Sequence, residues 1–177
     1  MQDILIEYMV KRQNGPKAAM LKVLIILASI IMAWFFLQLS AVLGQLSFIA
    51  VLFAVGAFYG AYLLITSMNL EFEYSITNGE MDVDKIIAQR KRRRLASIKW
   101  REVEAFGRYA PADHAQKNYA NKIFACDNIN SDDLWYCLAR VPQKGQVFLV
   151  FNANERMLDA IKKYLPKQLL FAVFKKS

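Results

Sequence analysis

The hydrophobic pattern of this chain is dominated by one long stretch without charge, because no Asp, Glu, Lys, Arg or His occurs between Lys22 and Glu71. One helical crossing of about 30 Å of hydrocarbon takes roughly 20 residues, at about 1.5 Å of rise per residue, so the stretch suits two crossings. Polar and small residues interrupt it near the middle: Gln38, Ser40, Gly44, Gln45 and Ser47. The pattern predicts a two-helix transmembrane hairpin over residues 18–69, with spans at about 19–39 and 46–68.

After the second predicted span, apolar residues recur at every second position, which indicates β-strands. The alternation runs from Leu70 to Ile76, and Asn78-Gly79 then supplies the two-residue turn that best matches the twist of paired strands. Pairing across this turn aligns two apolar and two polar pairs: Ile76 with Met81, Tyr74 with Val83, Ser75 with Asp82, and Glu73 with Asp84. The first hairpin of the sheet is therefore predicted to have one apolar face and one acidic face.

The rest of the chain predicts a small β-domain that ends with one helix. Further strands are expected at residues 93–98, 103–109, 122–127, 134–141 and 146–152. Residues 110–121 have no period and are expected to form a long loop. Asn152 with Glu155 resembles a capping box, and apolar residues then keep helical spacing as far as Pro166. The apolar tail 169–174 is too short to span a membrane and could be an edge strand or a surface anchor.

The segment before the first predicted span, residues 1–17, is expected to form a separate cytoplasmic part of the chain. Four of its apolar residues have helical spacing: Ile4, Leu5, Tyr8 and Met9. A break follows at residues 14–16, which read Asn-Gly-Pro. Two interpretations stay open, a short amphipathic helix on the membrane surface and a partly ordered terminus.

The net charge of +8 is distributed so that basic residues flank the predicted hairpin. Basic residues precede or begin the first span at Lys11, Arg12, Lys17 and Lys22, none lies in the predicted turn, and a basic run follows the second span. Short segments rich in Lys and Arg next to a span tend to stay in the cytoplasm. A multi-pass protein of the cell membrane with both termini cytoplasmic is therefore predicted. The competing interpretation is a cleaved signal peptide, which would leave the side of the β-domain open.

The basic run begins the third predicted strand of the sheet and consists of Arg90, Lys91, Arg92, Arg93 and Arg94. Beside the first hairpin, alternate members of the run could neutralise Glu73 and Asp84, which would otherwise repel each other across the sheet. The alternative is contact with a protein partner or with anionic lipid headgroups, at about 1 kcal/mol per basic residue held near the surface. Nucleic acid is not expected as a partner, because no interleaved set of exposed aromatic residues accompanies the run.

Gly56 and Gly60 form a small-xxx-small pair in the second predicted span, a spacing that lets two helix backbones approach closely in lipid. We favour packing of this pair against the first span, because the hairpin supplies its own partner. The alternative is a contact with a second copy of the chain, which would make a homo-oligomer, or with another membrane protein.

The sequence contains no motif for catalysis or for a cofactor, since a Gly-rich phosphate loop, HExxH, GxSxG and paired CxxC are all absent. Cys126 and Cys137 lack the spacing of a metal site and are expected to be reduced thiols buried on strands. His114 lies in the predicted loop and is expected to face solvent. We therefore expect no enzymatic activity, no cofactor and no metal.

The order of the predicted elements resembles a pleckstrin-homology-like (PH-like) domain, in which about seven strands precede one helix that covers an open end of the bent sheet. The residues that carry the resemblance are 74–87, which begin Tyr-Ser-Ile-Thr-Asn-Gly, the basic run into 95–98, and 152–166. Two spans directly before such a domain are similar to the layout of small bacterial membrane proteins with PH-like domains. The resemblance implies an α+β membrane protein, with a helical hairpin followed by a PH-like barrel or sandwich over residues 70–177 and a C-terminal capping helix. Eukaryotic relatives that bind phosphoinositides carry basic residues in the loop after the first strand, which here is Asn78-Gly79 and has none.

PH-like folds mostly act as binding modules and scaffolds, and the resemblance implies no catalytic residue. The sequence thus predicts a non-enzymatic, membrane-anchored binding or scaffold module, with membrane lipids as its partners and a membrane protein as a further candidate. The alternative is an accessory subunit of a transporter or membrane enzyme, bound through Gly56 and Gly60.

Overall fold

The computed structural model of the protein describes residues 5–114, 116–142 and 144–174. The chain forms two compact units. One is a helical unit, Asn14–Asn69, and the other is a sheet domain that combines the residues before the helical unit with those after it. The helical unit is therefore an insertion within the sheet domain, rather than a segment that simply precedes it.

The helical unit consists of two long helices, α1 (Pro16–Val42) and α2 (Ser47–Ser67), joined by a short 3-10 turn at Gly44–Leu46. Its buried side chains are all small: Ser29, Ala33, Ala50, Ala54 and Ala61. Most large apolar side chains on both helices are exposed, and the ring of Phe36 on α1 stacks on that of Phe53 on α2 with their centroids 5.4 Å apart. Buried small residues at the contact and mostly outward-facing large apolar residues suit helices that pack together in lipid. Both helices are long and apolar enough to cross a membrane.

Leu5–Lys11 form a β-strand, β1, so the amphipathic helix considered for this segment is wrong. β1 pairs antiparallel with β2 (Leu70–Thr77), the first strand after the helical unit. Ile6, Tyr8 and Val10 alternate along β1 and pack against the core of the sheet domain. Burial of this alternating set, together with the backbone hydrogen bonds that β2 offers, outweighs the local helical spacing. Only the tertiary structure supplies both contributions.

Among the described residues, eight strands form two four-stranded sheets, in a sandwich-like arrangement rather than a closed barrel. The remaining strands are β3 (Glu80–Ile87), β4 (Lys91–Lys99), β5 (Val103–Arg108), β6 (Asn121–Ala125), β7 (Leu134–Val141) and β8 (Gly145–Asn152). The first sheet has the order β1-β2-β3-β4, and the second has the order β5-β7-β8-β6, with β6 parallel to β8. The predicted α+β fold is confirmed, and β1 is the strand that the sequence did not predict.

The turn between β2 and β3 produces the register that was predicted from its sequence. Asn78 and Gly79 both have positive φ, 49° and 87°, which matches the twist of the flanking strands. A Cβ at Gly79 would lie 2.7 Å from Cδ1 of Tyr164, a distance that no side chain tolerates without movement of the ring. Glycine is therefore required here by both the backbone conformation and the approach of the C-terminal helical region.

Aromatic side chains fill the core between the two sheets. Trp100 is fully buried, and its ring centroid lies 5.6 Å from that of Phe106 and 6.1 Å from that of Phe151. The hydroxyl of Tyr74 on β2 donates a hydrogen bond to the carbonyl oxygen of Ala125 at the end of β6. The two sheets are thus joined by packing and by a buried hydrogen bond.

A buried amide organises the loop between β6 and β7. Asn152 is 1 % exposed, and its side-chain nitrogen donates to Asp127 Oδ1 at 2.8 Å and to Asp133 Oδ1 at 2.9 Å. Its side-chain oxygen accepts a hydrogen bond from the backbone N–H of Asp127 at 3.0 Å. The carbonyl of Asp127 in turn accepts from the backbone N–H of Gln13 at 3.0 Å, which ties the loop to the segment that follows β1.

Two helices complete the sheet domain, α4 (Glu155–Tyr164) and α5 (Lys167–Phe174). Asn154 caps α4 by accepting a hydrogen bond from the backbone N–H of Met157 at 2.9 Å, so the predicted capping box that began at Asn152 is wrong. The amide of Asn152 is already used in the buried cluster. The edge strand considered for the apolar tail is also wrong, because the tail forms α5 and packs part of its apolar surface on the core.

Candidate functional site

The outer face of the first sheet carries acidic residues that two arginine side chains contact. Arg92 Nη2 lies 2.7 Å from Glu73 Oε1, and Arg92 Nε lies 2.8 Å from Asp84 Oδ2. Arg94 Nη1 lies 2.7 Å from Asp82 Oδ2, and Arg94 Nε lies 2.9 Å from Asp84 Oδ1. The network crosses three strands, and it is the arrangement expected if alternate members of the basic run balance the acidic face.

A bulge in β4 decides which members of the run reach this face. Val83 pairs with Ala96, but the next residue, Asp84, pairs with Arg94, so Leu95 is an extra residue in β4. Side chains alternate between the two faces of a strand, and one extra residue reverses the alternation beyond it. Arg94 therefore lies on the outer face although Ala96 lies in the core.

Asp84 is the buried member of the network, at 4 % exposure. Burial by itself raises the pKa of Asp84, but the hydrogen bonds and charges of Arg94 and Arg92 outweigh burial and hold this pKa below its usual range. Both guanidinium groups are half-exposed, so each ion pair alone contributes little to stability. Loss of both would leave a buried carboxylate without a cation, which is costly. Arg92 and Arg94 thus have a structural part in the sheet.

The other members of the run lie together with one further lysine where β3 turns into β4. We call this set the basic end, and it consists of Lys85, Arg90, Lys91 and Arg93. Lys85 pairs with Arg93, and Ile87 pairs with Lys91. No side chain of the basic end forms an ion pair within residues 5–114, 116–142 and 144–174. Sequence reasoning missed Lys85 because it lies outside the run, and only the strand register brings it to Arg93.

The basic end lies at the end of the sheet from which the chain leads into the helical unit. Leu70, the first residue of β2, pairs with Ile87, which pairs in turn with Lys91. Neighbouring strands are about 4.8 Å apart, so about 10 Å separates Leu70 from Lys91. Lys11, the last residue of β1, pairs with Glu71 beside Leu70. Both connections to the helical unit therefore leave the sheet at the basic end.

Gly56 and Gly60 do not form the contact between α1 and α2. A Cβ at either position would meet no atom within 4 Å, whereas Ala54 and Ala61 on the same helix are buried. The favoured packing of this glycine pair against the first span is therefore wrong. Alanine forms the contact instead, because its methyl group adds apolar area while the helix backbones still approach closely.

His114 is buried, so the prediction of a solvent-facing side chain is wrong. It ends the short helix α3 (Pro111–His114), and its Nδ1 lies 2.8 Å from the hydroxyl oxygen of Tyr119. Its ring centroid lies 4.4 Å from that of Tyr136 and 4.9 Å from that of Phe148. Burial lowers the pKa of His114. These aromatic contacts hold His114 against the second sheet. They explain why a segment without hydrophobic periodicity still packs on the domain.

Cys126 and Cys137 are buried free thiols. Burial raises the pKa of Cys126 to about 11 and also raises the pKa of Cys137. Protonated thiols are weak nucleophiles and weak metal ligands at neutral pH. Within the part of the chain that the structure describes, no three His, Cys, Asp or Glu side chains are placed to hold a metal ion together.

Comparison with protein families matches residues 2–171 to a family described as bacterial PH-like domain, DUF6106. No curated protein and no solved structure matches the chain. The matched range includes the helical unit and all eight described strands of the sheet domain, so the insertion of the helices lies within the family match. The chain therefore belongs to the bacterial PH-like domain family DUF6106, as the order of its predicted elements indicated.

Proposed function

We propose that the protein is a membrane-anchored, non-enzymatic binding module, in which the helical unit spans the cell membrane twice and holds the PH-like sheet domain at the cytoplasmic surface. The observation that carries the proposal is the position of the helical unit between β1 and β2, which are neighbours in one sheet. Hydrogen-bonded strands must lie on the same side of a membrane, so the chain between them crosses an even number of times. Two helices long and apolar enough to cross are consistent with two crossings.

The distribution of charge supports the cytoplasmic side. Basic residues precede or begin α1 at Lys11, Arg12, Lys17 and Lys22, and the basic end follows α2, whereas the turn Gly44–Leu46 carries no charge. Basic segments next to spans tend to stay in the cytoplasm, so both termini would lie inside and the turn outside. From this position the domain would act as a scaffold that contacts anionic lipid and protein partners near the inner membrane surface.

Labelling of single added thiols in intact spheroplasts tests the orientation. We expect Gln45→Cys, in the exposed turn, to react with a membrane-impermeant maleimide from outside, and Glu102→Cys, exposed on the sheet domain, to react only after lysis. The native thiols give little background because both are buried with raised pKa values. Both variants should label in detergent, which controls for reactivity. Labelling of Glu102→Cys from outside, with Gln45→Cys protected until lysis, would contradict the proposed orientation.

The second candidate function is an accessory subunit of a transporter or membrane enzyme, and the open space beside Gly56 and Gly60 favours it. A membrane protein that packs on this glycine pair should be lost from detergent purification of Gly56→Leu, because the larger side chain blocks close approach. The helical unit should stay folded in this variant, since a side chain at Gly56 meets no atom of the chain. Ala54→Leu is the contrasting variant and should disturb the contact between α1 and α2. A partner that stays bound to Gly56→Leu would contradict this candidate.

A further inference from the structure

We propose that the basic end of the sheet domain binds the headgroup phosphates of anionic lipids in the bilayer that its own helices enter. The inference rests on the membrane anchoring proposed above and deepens it, because it assigns the lipid contact to one set of side chains. It also excludes Arg92 and Arg94, the two members of the basic run that contact Asp84.

The basic end carries charge that is available for a ligand. Arg92 and Arg94 share the carboxylate of Asp84 and also reach other acidic residues of the outer face. The side chains of the basic end form no ion pair with any described residue, and all except the partly buried Lys85 are exposed. Four cations with no ion-pair partner among the described residues attract phosphate groups. Each basic residue held near an anionic membrane surface strengthens association by a factor of about five.

Three cations of the basic end lie on the face of the sheet opposite the acidic outer face. Lys85 on β3 pairs with Arg93 on β4 and, on its other side, with Phe72, which is a core residue of β2. Paired residues share a face of the sheet, so Lys85 and Arg93 lie on the face that carries the core farther along the strands. Lys91 is two residues from Arg93 and shares that face. The acidic outer face points the other way, so its carboxylates do not lie between these charges and a lipid surface.

A short connection joins the basic end to the helices that would enter the bilayer. Met68 and Asn69 alone connect α2 to β2. The three steps from Ser67 to Leu70 span at most about 11 Å, and two strand spacings add about 10 Å to reach Lys91. The opposite end of β2, at the Asn78-Gly79 turn, lies about 26 Å farther along the strand. Screening at physiological salt acts over about 8 Å, so lipid charge acts strongly only on cations close to the surface. The short connections to α1 and α2 keep the basic end within reach of that surface.

Full-length protein in nanodiscs tests the proposal. We would attach a solvent-sensitive fluorophore to Gln89→Cys, at the exposed turn between β3 and β4, and measure its quenching by acrylamide. Quenching should be weaker in discs that contain phosphatidylglycerol than in discs of phosphatidylcholine alone. In Lys91→Gln/Arg93→Gln, loss of two cations should shift the docking equilibrium by roughly 25-fold and remove most of this difference.

Two variants with the same loss of charge are the controls. Arg92→Gln/Arg94→Gln should destabilise the sheet but retain the difference in quenching between the two lipids. Arg101→Gln/Lys163→Gln changes charge near the opposite end of the sheet and should retain both stability and the difference. The position of this second control follows from the pairing of Lys99 with Glu80 beside the turn and from the approach of Tyr164 to Gly79.

Three results would overturn the proposal: an unchanged lipid difference in Lys91→Gln/Arg93→Gln, an equal loss in Arg101→Gln/Lys163→Gln, or protection of the fluorophore by inorganic phosphate in phosphatidylcholine discs. Co-elution of the protein with the discs reports anchoring separately. Protein that elutes without discs contradicts the proposed function. Protein that co-elutes, with equal quenching in both lipids, contradicts the lipid-binding surface alone.

Discussion

Trp100→Ala is expected to destabilise the sheet domain by about 3–5 kcal/mol, the range for removal of a large aromatic side chain from a packed core. Trp100 is fully buried between the sheets and contacts the rings of Phe106 and Phe151. No small side chain can occupy the volume that its ring fills, so the variant would retain a cavity. Thermal unfolding of the full chain in detergent, followed by the β-sheet circular dichroism signal, should show a midpoint lowered by roughly 10–20 °C.

Trp100→Phe is the matched control, because it keeps an aromatic ring and removes the indole N–H. That N–H is buried and has no hydrogen-bond acceptor among the described residues, so its removal should cost no hydrogen bond. We expect the free energy of unfolding to fall by about 1–2 kcal/mol, because the phenyl ring is smaller than the indole. A loss as large as that of Trp100→Ala would contradict the unpaired state of the indole nitrogen.

Asn152→Ala is expected to cost about 3–4 kcal/mol, because it removes two hydrogen bonds to carboxylates and one to a backbone N–H from a buried site. Asp127 and Asp133 would each lose a donor, and the backbone N–H of Asp127 would lose its acceptor. The loop between β6 and β7 should consequently open. Urea denaturation should report the lost stability, and hydrogen exchange should locate faster exchange in this loop.

Asn154→Ala is the comparison for this prediction, since it makes the same chemical change two residues away. The side chain of Asn154 only caps α4, and loss of an N-cap typically costs about 1 kcal/mol. The order of the two effects tests the structure against the capping box predicted from the sequence, which assigned the cap to Asn152. Equal losses, or a larger loss in Asn154→Ala, would contradict the buried cluster.

Local signals in the sequence were sufficient to predict the parts of the fold that depend on neighbouring residues. The Asn78-Gly79 turn determines its own conformation and therefore the register between β2 and β3. Length and the absence of charge likewise identify α1 and α2, because both properties can be read without knowledge of any contact. The strand β1 was not predictable in this way, since its partner lies beyond the whole helical unit.

The division of the basic run could not be predicted from alternation. The core positions Ala96 and Ile98 imply by strict alternation that Arg94 would point into the core. The extra residue Leu95 places Arg94 on the outer face instead, and no feature of the sequence indicates a bulge there. The sequence therefore identified the basic run and its two possible roles, balance of the acidic face and contact with lipid or a partner. Which side chains serve each role depends on the one extra residue in β4.

The burial of isolated polar residues also could not be predicted from the sequence. His114 occurs in a stretch without period, and its burial depends on rings that come from two distant strands, at Tyr136 and Phe148. Asn152 lies at the end of a strand, where a helix cap is the common use of asparagine. Its burial depends on Asp127 and Asp133 from another loop. Such sites are assembled by topology, which single-sequence patterns do not report.

The insertion of α1 and α2 between paired strands also determines the order in which the domain can fold. β1 leaves the ribosome before the helices, and its partner β2 is made only after both of them. Association of the helices brings the two ends of residues 12–69 close together. Much of the entropy cost of closing this long connection is therefore incurred before β1 and β2 pair. In the proposed arrangement, insertion of the two helices into the membrane is thus a folding step of the sheet. In that arrangement, a helix that failed to insert would separate β1 from β2 across the bilayer and leave the edge of β2 open to aggregation.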